Sequence, residues 1–168
     1  MGQDKHEAKR AARLCAVQAL YQMDIATSDL DTTIEQFREH QFNNDVSDFK
    51  EVDGDYFEFI VRGVFDHQSR IDKIIDEHLS VKWRLSRLDS TLRALLRCGV
   101  QELLHTPDIT SAILIKQYVD MAHAFFADAE GGMANAVLDK IAKDLQDAKD
   151  SQDAKDSQDA KNSQNERV

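Results

Sequence analysis

The chain of 168 residues carries 31 acidic against 21 basic side chains, a formal net charge of -10, which excludes a surface built throughout to hold a polyanion. With 42% hydrophobic and 31% charged residues it has the balance of one soluble domain with its own core, and no apolar run approaches the ~18 residues that span a bilayer. No apolar stretch follows the charged N-terminus, so no secretory signal is expected. Cys15 and Cys98 are isolated within apolar helical patterns, which fits small core residues in a reduced, cytoplasmic setting.

One proline and six glycines predict long helices with few turns. Leu14, Val17 and Tyr21 recur at spacings of three and four and predict a helix over 4–26. Its start is basic: Lys5, Lys9, Arg10 and Arg13 stand against one acid, Glu7, over residues 5–13. A positive pole on a negative body is an electrostatic footprint for nucleic acid held at one end. A solvated helix start is the plainer reading of the same charges. A short helix over 31–40 follows, with Ile34 and Phe37 as its apolar contacts, and then a polar surface loop from Asn43 to Glu51.

From Asp53 the helical pattern resumes through Phe57, Ile60, Val61 and Val64, then Ile71, Ile74, Ile75 and Leu79. Two helices joined near His67, or one kinked helix, would satisfy it. Asp89 is a plausible N-cap for a helix with the stripe Leu92, Leu95, Leu96, Gly99 and Leu103, and Thr106-Pro107 ends it. Thr110 or Ser111 caps the next, which is expected to bury Ala112, Ile115, Val119, Ala122 and Phe126. Gly131-Gly132 predicts a break before a last helix with Ala134, Val137, Leu138, Ile141 and Leu145. No alternation of period two is sustained anywhere, so the fold class is all-α.

Residues 1–145 form the expected domain, and 146–168 differ in kind. Gln146-Asp-Ala-Lys-Asp-Ser151 repeats over 152–157 and, with Asn162 for Asp, over 158–163. The repeats have no large apolar residue to offset the entropy of ordering, and disorder is expected.

Little here points to catalysis. Glu102 and His105, with Asp120 and His123, place an acid and a histidine three apart on each of two helices, as in di-iron bundles. The second pair begins with Asp, no further carboxylates join it, and an antiparallel turn at Pro107 offsets the pairs by ~7–8 Å. No metal, no cofactor and no enzymatic activity are expected. Tyr21 and the phenylalanines are core residues by default, and Trp83, between Lys82 and Arg84, is read as a partly buried anchor.

Four blocks give the chain an affiliation. The first is Arg10-Ala-Ala-Arg13-Leu-Cys-Ala-Val-Gln-Ala-Leu-Tyr21. The second runs from Val52-Asp53 through Tyr56-Phe57 to Gly63-Val64, and the third from Leu85 through Leu92-Arg93-Ala-Leu-Leu-Arg97 to Glu102-Leu103. The fourth is Val137-Leu-Asp-Lys140. In this order and spacing, over about residues 5–145, the chain resembles the NusB family of helical transcription antitermination factors. The resemblance implies a compact seven-helix fold of two subbundles. It also implies binding of the single-stranded boxA element of nascent ribosomal RNA jointly with NusE, a small-subunit ribosomal protein. The complex would then act on elongating RNA polymerase and suppress premature termination. The same helical domain fronts certain RNA cytosine methyltransferases, but no catalytic domain follows within these residues.

On that reading Lys5, Lys9, Arg10 and Arg13 contact phosphates, Tyr21 stacks on an unpaired base or packs, and four cations on a single strand give a log-log salt slope of about -3. The chain departs from the family's pattern in places. The basic start is sparser than usual, and Leu92 stands where an acid is often found. Ile115-Lys116-Gln117 replaces Ile-Asn-Glu, and Met133-Ala134-Asn135-Ala136 replaces Phe-Val-Asn-Gly. Lys116 is either drift on a solvated face or a compensating RNA contact. The alternative function is a helical protein-interaction module or homodimer without specific RNA binding.

Overall fold

A computed structural model describes residues 2–42 and 51–165, with side chains through Ser163; apart from Glu51, the expected Asn43–Glu51 loop lies outside the described residues. They contain α1 (Gly2–Ala26), α2 (Leu30–Gln36), α3 (Gly54–His78), α4 (Ser90–His105), α5 (Ser111–Phe125) and α6 (Asp128–Asn165), and no strand. The all-helical expectation holds, with six α-helices in place of seven among the described residues. The segment predicted as a helix over 31–40 is α2 followed by a π-helical stretch at Phe37–Gln41.

The helix starts are set by side chains that accept otherwise unpaired backbone N–H groups. Asp29 accepts from Thr32 N at 3.0 Å, Asp53 from Tyr56 N at 3.0 Å and Asp89 from Thr91 N at 2.8 Å. Each such cap contributes ~1 kcal/mol. Thr110 is the residue before α5, without a side-chain cap bond. The 54–78 stretch is one helix with no interruption at His67.

Two bundles share α4. On one side α1 and α3 pack against it, with α2 resting on both of them, and on the other α5 and α6 do. Because it serves both, α4 is buried almost all round, from Leu92 through Glu102 with only Arg93 partly exposed. The approach of α3 requires Gly63, where an added Cβ would stand 1.9 Å from the Gln101 side chain.

Three expectations are corrected. The buried face of α1 includes Val17 as expected but otherwise consists of Leu20 and the small residues Ala8, Ala11, Ala12, Ala16 and Ala19, while Leu14 is half-buried and Tyr21 is 42% exposed. Alanine barely registers in a hydrophobic pattern, yet it lets helix axes close together. In α5, Ala112 is exposed and the buried residues are Leu114, Ile115, Tyr118 and Ala122. Gly131 and Gly132 do not break the chain but lie in the first turns of α6. A Cβ on Gly131 would meet only the tip of the exposed His123 ring, which can swing aside, and the turn falls earlier, at Phe126.

The repeat segment is also not irregular: α6 continues through it to Asn165. Its residues from Gln146 to Ser163 are all exposed. What holds the helix is local. Gln146 and Gln152 donate to Asp150 and Asp156 one turn on, at 2.8 and 2.9 Å. Ser151, Ser157 and Ser163 donate back to carbonyls one turn earlier. Such terms are worth a few tenths of a kcal/mol each, enough for a solvated helix and too little to stabilise the body. Only Gln146 and Lys149 border the α4–α5 turn. Ending the chain after Lys149 should therefore leave the thermal midpoint within about a degree while reducing helical circular dichroism. A drop of several degrees would mean that the extension docks on the body.

Candidate nucleic-acid interface

The basic start of α1 is positioned by α3 and α4. Asp53 N donates to the Ala8 carbonyl at 3.1 Å, tying the beginning of α3 to the first turns of α1. α4 runs antiparallel to α1, with Arg13 opposite Glu102 and Asp24 opposite Arg93. The four cations read together from sequence separate here. Lys5 and Arg10 are exposed, Lys9 is half-buried and Arg13 is 4% exposed.

Arg13 is therefore not a solvent-facing cation, which corrects the expectation for it. Its Nε and Nη2 donate to the two oxygens of Glu102 at 2.8 and 2.9 Å, a bidentate pair with both side chains buried. The Tyr56 and Tyr118 hydroxyls donate to the same carboxylate, and Arg13 Nη2 also reaches the Tyr56 hydroxyl at 3.4 Å. Four donors thus meet one carboxylate, which is how a buried charge becomes tolerable. Burial works against the Arg13 charge, but the hydrogen bonds and charge of Glu102 outweigh it and raise the guanidinium above its ordinary pKa. Burial, then the negative charge of Glu102, pushes both tyrosine hydroxyls above theirs.

The network reaches the surface through Tyr56. Lys9 Nζ sits 4.6 Å from the centroid of the Tyr56 ring, with the Arg13 guanidinium carbon at 5.4 Å. Lys9 is thus held by a cation–π contact to a ring whose hydroxyl is fixed by Glu102. Sequence reasoning missed Tyr56, Tyr118 and this role of Glu102. The available signal was an acid standing in the buried register of α4, three residues after Gly99.

The remaining site residues lie apart. Tyr21 is on the exposed side of α1, bordering a shallow depression with Gln18, Gln22, Ile25, Phe37 and Gln41. Lys116, on α5, is exposed and paired with Asp120 at 2.8 Å. Leu92 and Met133, two positions that depart from the family pattern, are buried in the core. Trp83 is half-buried and packs on the core as expected. Burial pushes the Cys15 thiol up to about 11 and Cys98 well above its usual value, so neither is an activated nucleophile. Among the described residues no helix is long and apolar enough to cross a membrane.

Two helical bundles about one shared helix, with exposed cations at the start of α1, define an all-α class with a basic helix start. A sequence model of the NusB family matches residues 10–143. A transcription antitermination protein NusB of Maricaulis maris is 45% identical over 137 residues, covering 80% of this chain and 86% of the relative. The chain belongs to the NusB family. Solved structures agree: T. maritima NusB superposes with a TM-score of 0.68 at 29% identity, covering 80% of this chain and 90% of that one. A second similar chain comes from a crystal structure of the antitermination factors NusB and NusE with double-stranded RNA. Its TM-score is 0.67 at 26% identity, covering 85% and 98% of the two chains.

Proposed function

We propose that this protein binds single-stranded boxA-type RNA of nascent ribosomal transcripts through the start of α1, jointly with NusE, and acts with elongating RNA polymerase to suppress premature termination. The observation that carries the reading is exposed Lys5 and Arg10 with half-buried Lys9 between them, on a body of net charge -10. The related NusB–NusE–RNA complex supports both partners. With Arg13 withdrawn into its ion pair, three cations remain at the pole. They give a single-strand salt slope of about -2, and Lys116 would add about 0.7 as a fourth contact. So small a footprint favours a protein partner that extends the surface.

Fluorescence anisotropy with a boxA-type RNA, with and without NusE, tests this. Arg10→Glu should weaken binding at least about tenfold and leave the thermal midpoint within about a degree, since the side chain is exposed. In the same titration Lys116→Asn should flatten the slope by about 0.7 if Lys116 contacts the strand. Unchanged affinity for a folded Arg10→Glu protein would remove the start of α1 as the site. No RNA binding by wild type even beside NusE would favour the protein-interaction reading instead.

A further inference from the structure

Next to the anchored Tyr56 ring lies a second aromatic that no charge pattern would reveal. Phe59, one turn further along α3, is 38% exposed, and its ring centroid is 5.8 Å from that of Tyr56 at an interplanar angle of 37°. Lys9, Tyr56 and Phe59 therefore follow one another as cation, fixed ring and open ring. Single exposed apolar side chains are ordinary. Phe65 and Phe125 are more exposed still, but among the described residues cation–ring contacts are confined to Tyr56.

Three of the acids around this corner are paired with arginines. Glu58 accepts from Arg38 and Arg62, both at 2.6 Å, Asp55 lies 3.6 Å from Arg38, and Glu102 holds Arg13. Proteins that bind unpaired nucleic acid combine a cation for the phosphate with an aromatic face for the adjoining base. We infer that Phe59, backed by Tyr56, is a stacking platform for one unpaired RNA base beside the phosphate that Lys9 holds. This rests on the reading that the start of α1 is the RNA site, and deepens it by adding a base contact on α3.

Stacking and charge contacts respond differently to salt, which makes the inference testable on the full chain with NusE. The probe is a short single-stranded boxA-type RNA carrying 2-aminopurine in place of one adenine at a time. Phe59→Ala should lower affinity about tenfold, within the range of a base–aromatic stack, and leave the salt slope unchanged. Lys9→Gln should instead flatten the slope by about 0.7. Phe59→Leu keeps apolar bulk but no π-face and should lose as much as Phe59→Ala, whereas Phe59→Trp should restore binding. At one labelled position the fluorescence quenching seen with wild type should be lost in Phe59→Ala and Phe59→Leu.

Wild-type affinity in Phe59→Ala or Phe59→Leu, while Arg10→Glu still weakens binding, would overturn this inference and leave the α1 site standing. So would a loss confined to the gain that NusE provides, which would make Phe59 a protein contact. No binding by wild type would take down both readings.

Discussion

Glu102→Leu is expected to destabilise the protein by about 3–5 kcal/mol, because it leaves the Arg13 guanidinium charged, buried and without its carboxylate. For a domain of this size that corresponds to roughly 10 °C in thermal midpoint. Arg13→Leu should cost a similar amount by stranding the carboxylate, with two tyrosine hydroxyls left to solvate it. Changing both residues to leucine should cost distinctly less than the sum, since no uncompensated ion then remains. Denaturant midpoints at constant m-value provide the measurement. Additive losses, or a Glu102→Leu effect below about 1 kcal/mol, would show that the ion pair is not the buttress the geometry describes. It follows that Arg13→Glu is no clean test of RNA contact. It sets a second carboxylate against Glu102, so lost binding would report on folding.

The second large effect lies at alkaline pH. Tyr118 is fully buried and its hydroxyl is raised well above the usual value, burial being the leading cause and the charge of Glu102 the next. A group with its folded pKa raised contributes stability that is fully present below its unfolded value and lost as pH rises toward the folded one. For tyrosine the loss therefore starts near pH 10. Above that point Tyr118 alone should remove about 1.4 kcal/mol per pH unit. Tyr56, partly exposed and shifted the same way, adds to this, and the raised thiols of Cys15 and Cys98 bring the first losses already near pH 9. Urea midpoints measured from pH 8 upward should begin to fall near pH 9 and steepen past pH 10, and phenolate absorbance should show the buried tyrosine ionising only as the protein unfolds. A folded protein whose tyrosines all titrate near pH 10 would contradict the burial of this network.

Residue type decided what could be read in advance. The stripes of α4 and α6 were legible because Leu92, Leu95, Leu96, Val137, Leu138 and Ile141 are large aliphatic residues, and all are buried. α1 was misjudged because its inner face is alanine, while Tyr21 is apolar enough to look buried. At the site, Lys9, Arg10 and Arg13 look alike as a charge run. What separates them is register: Arg13 shares the i, i+3, i+4, i+7 spacing with Ala16, Val17 and Leu20, which are all buried. Its partners were not legible locally. Tyr56 and Glu102 lie 43 and 89 residues away in sequence, and only the packing of three helices joins them. In the repeats, the absence of apolar residues correctly foretold a segment outside the core. It did not foretell a helix, because one-turn Gln–Asp and Ser–carbonyl bonds need no core.

The uninterrupted α6 also shapes how the whole molecule moves in water. From Gln146 to Ser163 the helix spans roughly 27 Å at 1.5 Å per residue, with every side chain in solvent. A body with such a mast tumbles anisotropically, turning faster about the mast than end over end. Amides along the mast, whose N–H bonds lie parallel to that axis, should then show longer rotational correlation times than amides set crosswise in the body. Small-angle scattering should find a maximum dimension well beyond that of the two bundles alone.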